Sequence, residues 1–351
     1  MKNEQKQMKA ELGIWPKDRQ QLHQILPLNT PLSMDFLVSN VCNFKCNYCI
    51  QSGTTEQFEK SGYKKQFMDW ETFELGVKQV KEFPHKLKML VFHGHGEPTL
   101  NKHLPEMIKL VRKENIAEKV IVITNGSVLT PEYSHRLINA GLQELRISLQ
   151  GLSSEKYMEI SQAKIDWEEF YENIVYFSKI KGNCRLSTKI ADTALESEDE
   201  KRFFELFGGV CDAVGIEHIY ECFAHLGKNY AGVPYYKVAK NRWGEEIAGP
   251  ISVCWLPFGK MDLSADGRFT NCCAALFGFE RNIREVSMLE MWNSPVMNKM
   301  REDFLRHNMD SYTACHKCHV PMGTFHPEDI LDGHEVEILK RMSERGMISS
   351  Q

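Results

Sequence analysis

The chain has 351 residues, 42% of them hydrophobic and 26% charged, with a formal net charge of −4. This is the balance of a folded protein able to bury a large core, and it excludes a disordered or fibrous chain. The acidic surplus argues against broad electrostatic binding of nucleic acid or an anionic membrane, and no run approaches the ~18 apolar residues of a membrane span.

Residues 1–30 are polar and lack the apolar core of a signal peptide, so an N-terminal extension of a cytoplasmic, soluble protein is expected. From there short apolar, β-branched runs alternate with longer amphipathic stretches. Strands are predicted at 34–39, 87–94, 119–126, 144–151, 184–191 and 213–220. Helices are predicted near 70–83, 103–114, 131–140, 165–180 and 197–207. Asp69 before "WETFELGVKQV" and Thr130–Pro131 before "EYSHRLINAG" are helix starts, and Gly141 is a stop.

Six β/α alternations imply a parallel sheet with right-handed crossovers, either a whole or incomplete barrel or a doubly wound sheet. In both architectures chemistry sits at the carboxyl ends of the strands. The distinctive residues fall there: "CNFKCNYC" after the first strand, "HGEP" after the second, "TNG" after the third, "SLQG" after the fourth and "ECF" after the sixth.

After residue 220 the rhythm breaks. Residues 221–250 are rich in glycine and tyrosine, and "KMDLSADGRFTNCC" (260–273) reads as a hairpin turning at Ala265-Asp266-Gly267. Two helical pieces, the sequence "CHKC" and a charged helix near 334–345 complete the chain.

Eleven cysteines in a chain without secretion signals point to metal before disulfide. Cys42, Cys46 and Cys49 form a C-x3-C-x2-C group, and Cys254, Cys272, Cys273, Cys315 and Cys318 lie together near the other end. Cys184 and Cys211 read as core residues. Thiolates suit zinc, copper(I) or iron–sulfur clusters. A structural zinc ion asks for four ligands, so three close cysteines keep zinc open only if a fourth comes from afar. Three cysteines also suit a [4Fe-4S] cluster with one iron left free of protein.

This spacing, in a loop after the first strand, resembles the radical S-adenosylmethionine (SAM) superfamily. The resemblance implies a partial (β/α)6 TIM-like barrel whose free iron binds SAM. It implies reductive cleavage of SAM to a 5′-deoxyadenosyl radical that takes hydrogen from substrate, with an electron donor such as flavodoxin or ferredoxin. On it, Cys42, Cys46 and Cys49 hold the cluster, and Tyr48, before the third cysteine, packs near adenine. "GHGEP" matches the motif that receives the SAM amino group, giving Gly94, Gly96 and Glu97. Thr124, Asn125 and Ser148 fall where methionine and ribose are contacted, and Lys189 is a candidate for the SAM carboxylate. His93 and His95 flank the motif, either touching substrate or bonding neighbouring backbone.

Cys254, then Gly267-x4-Cys272, then Cys315-x2-Cys318 is a four-cysteine set for zinc or a fully protein-ligated cluster. It resembles the auxiliary-cluster extension of the same superfamily, in its short twitch form related to the SPASM domain, and implies one auxiliary [4Fe-4S] cluster. The expected layout is an extension (1–30), a radical SAM barrel (31–225), a small α+β twitch/SPASM-like domain (226–325) and a C-terminal helix (326–351). An electron-carrying auxiliary cluster suits an oxidation. The expected substrate is a polar small molecule such as a sugar or aminocyclitol. The alternatives are modification of a peptide or protein, redox-neutral epimerisation with Cys222 as hydrogen donor, and, remotely, a zinc-stabilised binding module. Glu217, His218, Glu221 and His225 are candidates to accept the proton released on oxidation.

Overall fold

The computed structural model describes residues 10–12, 19–54, 63–220, 240–247, 251–272, 281–316 and 318–349, together with 56, 58, 249 and 279. Its strands are β1 (Glu11–Leu12), β2 (Ser33–Leu37), β3 (Leu87–His93), β4 (Ala117–Thr124), β5 (Glu144–Leu149), β6 (Arg185–Ala191), β7 (Ala213–Glu217), β8 (Lys260–Leu263) and β9 (Phe269–Thr270). Helices α1 (Leu22–Ile25), α2 (Trp70–Val80), α3 (Leu104–Glu114), α4 (Pro131–Asn139), α5 (Ser154–Ser161), α6 (Trp167–Ile180) and α7 (Asp199–Phe207) belong to the barrel half. In the remainder lie α8 (Leu256–Gly259), α9 (Met288–Trp292), α10 (Pro295–Leu305), α11 (Val320–Thr324) and α12 (Glu335–Glu344).

The sheet runs β1-β7-β6-β5-β4-β3-β2-β8-β9, parallel throughout except for the β8–β9 hairpin. Because β2 and β7 do not meet, the barrel is open. All six predicted strands and the five helices between them are present, their ends moved by a few residues. The start signals act as read: Asp69 accepts from the Thr72 N–H and Thr130 from the Tyr133 N–H. Helix α5 was not anticipated; Ser153 caps it in a short stretch that reads as loop. The predicted hairpin exists, and its first strand adds to β2 in parallel, so the C-terminal portion continues the barrel sheet.

Alternation along the strands separates two surfaces. Phe36, Phe92, Val122, Ile147, Leu186 and Val214 are fully buried in the apolar core shared with the helices. Full burial of each such side chain is worth about 1.5–3 kcal/mol. The opposite, concave face is charged, a feature hidden in runs that read as largely apolar. Three carboxylates organise it: Glu144 holds Lys119 and Arg146, Asp35 holds His93 and Lys260, and Glu217 holds Lys189 and Arg242. Buried charges persist only when paired in this way.

Beyond the hairpin, Gln79 of α2 donates to the Ile283 carbonyl and accepts from the Met288 N–H, both at 3.0 Å. A second apolar cluster gathers Leu22, Ile50, Phe304, Leu331, Ile338 and Met342. No helix among the described residues is long and apolar enough to cross a membrane.

Candidate active site

The cysteine loop follows β2 and is tied to four neighbouring segments. The Gly96 N–H donates to the Ser39 carbonyl (3.0 Å) and the Glu97 N–H to the Val41 carbonyl (2.8 Å), which joins the loop to the end of β3. Glycine is required there, since a Cβ on Gly96 would lie 2.3 Å from the Val41 carbonyl oxygen and one on Gly94 would lie 2.4 Å from that of Ser39. At the end of β4, Asn125 donates to Asn43 (2.9 Å), which in turn donates to Ser127 (2.8 Å). At the end of β5, the Tyr48 hydroxyl bonds Gln150. The Lys45 and Asn47 N–H groups donate to the last carbonyls of α5, at Ser161 and Ile160. Phe44, fully buried, packs edge-on against Tyr157.

Glu97 is buried, and its carboxylate accepts from the Thr99 N–H and hydroxyl, the Thr124 hydroxyl (2.6 Å) and the Asn125 N–H (2.7 Å). It thereby locks the ends of β3 and β4 together. Ser148, at the end of β5, is half-buried, and its carbonyl accepts from Gln150 at 3.1 Å. His93 bonds the Asp35 carboxylate at 2.5 Å through its side chain, whereas His95 offers its carbonyl to Gln51.

Burial dominates and pushes all three loop thiols up, Cys42 to about 12, and the neighbouring thiols add to the rise at Cys42 and Cys46. Protein alone therefore keeps them protonated, and a cationic metal centre must displace the protons. Tetrahedral zinc holds its thiolates only about 3.8 Å apart, given Zn–S bonds near 2.3 Å. Among the described residues neither cysteine group brings three donor atoms within 4.8 Å of one another. The wider spread suits a cluster better than a single ion.

Lys189 sits 2.5 Å from Glu217, which also takes Arg242 at 3.2 Å. Burial lowers the Lys189 pKa; Arg242 and Lys189 hold the Glu217 carboxyl below its usual range against burial that opposes them. Glu217 Oε1 is buried without a hydrogen-bond partner. Lys189 and Glu217 border a cavity of about 590 Å³ beside β7, lined also by Asp192, His218 and Trp243. Asp192 engages His218 Nδ1 at 2.9 Å. Glu221, Cys222 and His225 lie outside the described residues, as does Cys273.

The second set converges in the second apolar cluster, with Cys254 and Cys318 buried and Cys272 and Cys315 packed against it. Cys315 and Cys318 both raise the Cys254 thiol, after burial. Cys184 and Cys211 are buried core residues. Asn43, Gln51, Gln150 and Arg242 escaped the sequence reading, because each acts through partners far away in the chain and no local motif marks them.

Residues 36–205 match the model of the radical SAM superfamily and residues 254–319 that of an iron-sulfur cluster-binding domain. A probable GTP 3′,8-cyclase of Metallosphaera sedula is 28% identical over 185 residues, covering 52% of each chain. The tungsten-containing aldehyde ferredoxin oxidoreductase cofactor-modifying protein of Pyrococcus furiosus is 22% identical over 326 residues, 80% of this chain and 85% of that one. Matches to the probable GTP 3′,8-cyclases span only 37–52% of those proteins' length. In fold the chain is similar to anSMEcpe solved with bound AdoMet, with a TM-score of 0.57 and 16% identity over 90% of this chain and 92% of that one. The two domain matches and the open parallel barrel agree: the chain belongs to the radical SAM superfamily, with a SAM-binding [4Fe-4S] cluster and an auxiliary iron–sulfur cluster domain.

Proposed function

We propose that the protein abstracts a hydrogen atom from a polar small molecule, a sugar, aminocyclitol or similar metabolite, and that one auxiliary [4Fe-4S] cluster accepts an electron to complete an oxidation. The observation that carries the substrate class is the charged cavity beside β7, whose volume of about 590 Å³ falls in the range of small-molecule sites. The relatives' names point the same way, one acting on GTP and one on a cofactor.

In this reading Cys42, Cys46 and Cys49 hold the SAM-binding cluster, and Cys254, Cys272, Cys315 and Cys318 hold the auxiliary one. When bound, the cluster and SAM supply the one-electron chemistry that ends in hydrogen abstraction. The chain's own residues do the positioning. Tyr48, fixed by Gln150, lies beside adenine, and Thr124, Asn125 and Ser148 face the methionine and ribose parts of SAM. Glu97 serves by fixing Thr124 and Asn125, since its oxygens already take four protein donors. Gly94 and Gly96 serve by letting the β3 end approach the cysteine loop. Lys189 serves the substrate cavity rather than the SAM carboxylate, because its ammonium is spent on Glu217. Glu217 Oε1 accepts a hydroxyl or amine of the substrate. His218, oriented through Nδ1 by Asp192, takes up the released proton at Nε2.

Anaerobically reconstituted protein should hold about eight iron and eight sulfide per chain. A Cys42→Ala/Cys46→Ala/Cys49→Ala variant should keep about half and release no 5′-deoxyadenosine with dithionite and SAM. Transfer of substrate deuterium into 5′-deoxyadenosine identifies the substrate. Stoichiometric zinc without iron would end the proposal.

A further inference from the structure

Arg301 of α10 is 2% exposed and has no part in the chemistry above. Its Nε donates to the Pro257 carbonyl and its Nη1 to the Trp292 carbonyl, both at 2.9 Å, and Nη1 also reaches Asn298 Oδ1 at 3.0 Å. The guanidinium lies over the Trp292 ring, 4.1 Å from its centroid. These partners are all neutral, and Nη2 is buried without a hydrogen-bond partner. A buried charge normally keeps an opposite one, as Arg146 keeps Glu144 in the barrel. No carboxylate is paired with Arg301 among the described residues. Burial pulls its pKa down to about 9, so the group is still a cation at neutral pH.

The segments around it carry the second cysteine set. The Leu256 N–H is hydrogen-bonded to the Cys254 sulfur, and the next residue, Pro257, holds Arg301. Standard backbone dimensions then put the guanidinium within about 12 Å of that sulfur. Nη2 lies on the Nε edge of the planar fork, so a spare donor faces the same side. One residue earlier, Met300 Sδ accepts from Asn271 Nδ2 at 3.2 Å, and Asn271 precedes Cys272. Met300, Cys254 and Cys318 share one apolar cluster, against which Cys272 and Cys315 pack.

We propose that Arg301 is the counter-charge of the auxiliary cluster and raises its reduction potential, so that the cluster takes up the electron of the substrate radical. This role rests on the reading that Cys254, Cys272, Cys315 and Cys318 hold an electron-accepting cluster. Four thiolates leave such a cluster net negative. One electron from the substrate radical makes it more so, while the released proton goes to His218. A buried cation favours the reduced state, and net charge is one of the levers that set cluster potentials. Across about 12 Å at an effective dielectric of about 20, one unit charge alters a one-electron equilibrium about tenfold, or about 59 mV.

The test is a redox titration of the reconstituted holoenzyme followed by electron paramagnetic resonance. The auxiliary signal is the one that survives Cys42→Ala/Cys46→Ala/Cys49→Ala. Arg301→Gln should move its midpoint negative by about 59 mV, the equivalent of tenfold. Arg301→Lys should stay near the parent, and the SAM-site cluster should move in neither. Asn298→Asp sets a carboxylate on the guanidinium and leaves its bonds in place. It should also move the midpoint negative, and it decides the matter where Arg301→Gln fails to fold. An unmoved midpoint in Arg301→Gln or Asn298→Asp overturns the proposal. So does an Arg301→Lys shift as large as that of Arg301→Gln, or an equal shift of both clusters. A parent with no auxiliary signal overturns the functional reading as well, whereas a signal that ignores the charge overturns the role of Arg301 alone.

Discussion

Substituting Gly96 with alanine tests how the cysteine loop is held. The added Cβ would meet Val41 backbone atoms at 2.3, 2.5 and 2.6 Å, and no side-chain rotation relieves a clash with backbone. Ordinary contact begins near 3.4 Å, so the loop and the β3 end must separate by roughly 1 Å. That displacement breaks the Gly96→Ser39 and Glu97→Val41 hydrogen bonds, at 3.0 and 2.8 Å. Overpacking costs about 1–3 kcal/mol and each broken buried bond about 1 kcal/mol or more. The sum, about 3–5 kcal/mol, is a large share of a typical domain's stability of about 5–15 kcal/mol. Urea unfolding of the apoprotein should register it as a lower midpoint, and the SAM-site cluster should load poorly, leaving about half the parent's iron. Gly259→Ala is the control, since its Cβ would meet only ordinary contacts, at 3.5 Å and beyond, and should shift stability by under about 1 kcal/mol. A Gly96→Ala protein with the parent's urea midpoint and full iron would refute the reasoning.

Glu217→Gln leaves the half-buried Lys189 and Arg242 without their carboxylate, and should destabilise the fold by about 1–3 kcal/mol; adding Lys189→Met should recover part of the loss, and failure to do so would show that the pair is not coupled. His326 stacks on Trp243 and burial pulls its pKa down to about 4. Because its folded pKa lies below the unfolded one, its contribution is complete above about pH 6.5 and is lost as pH falls from there towards 4. Allowing for its partial exposure, about 1–2 kcal/mol of acid-limb stability loss should vanish in His326→Gln, measured by urea midpoints from pH 7 to 4.5. Asp35 sits lower still, held by Lys260 and His93 against burial. Its stabilisation should persist to below pH 4, and Asp35→Asn should weaken the fold at neutral pH most of all, by calorimetry. Cys254→Ser should retain about four iron and still release 5′-deoxyadenosine, while substrate oxidation stops; full retention of iron would remove Cys254 from the auxiliary site.

The architecture of the barrel half was legible in the sequence because its signals are local. Alternating β-branched runs and capped amphipathic stretches need only neighbours within a turn or two, and "CNFKCNYC" carries its resemblance to the radical SAM superfamily within eight residues. Tertiary structure decided what depends on residues brought together from afar. The cysteine loop is clasped by β3, β4, β5 and α5, and Gly94, Gly96 and Glu97 hold the loop and the strand ends together. Lys189, expected at a carboxylate of SAM, finds Glu217 on the next strand, because parallel register aligns the side chains of β6 and β7 on one face. The hairpin after residue 260 joins β2 as a further strand. Pairing between strands more than 200 residues apart leaves no periodic trace in either one. The charged concave face was hidden for the same reason. A lysine or glutamate inside an apolar run reads as an interruption until the sheet curves and sets an opposite charge across from it.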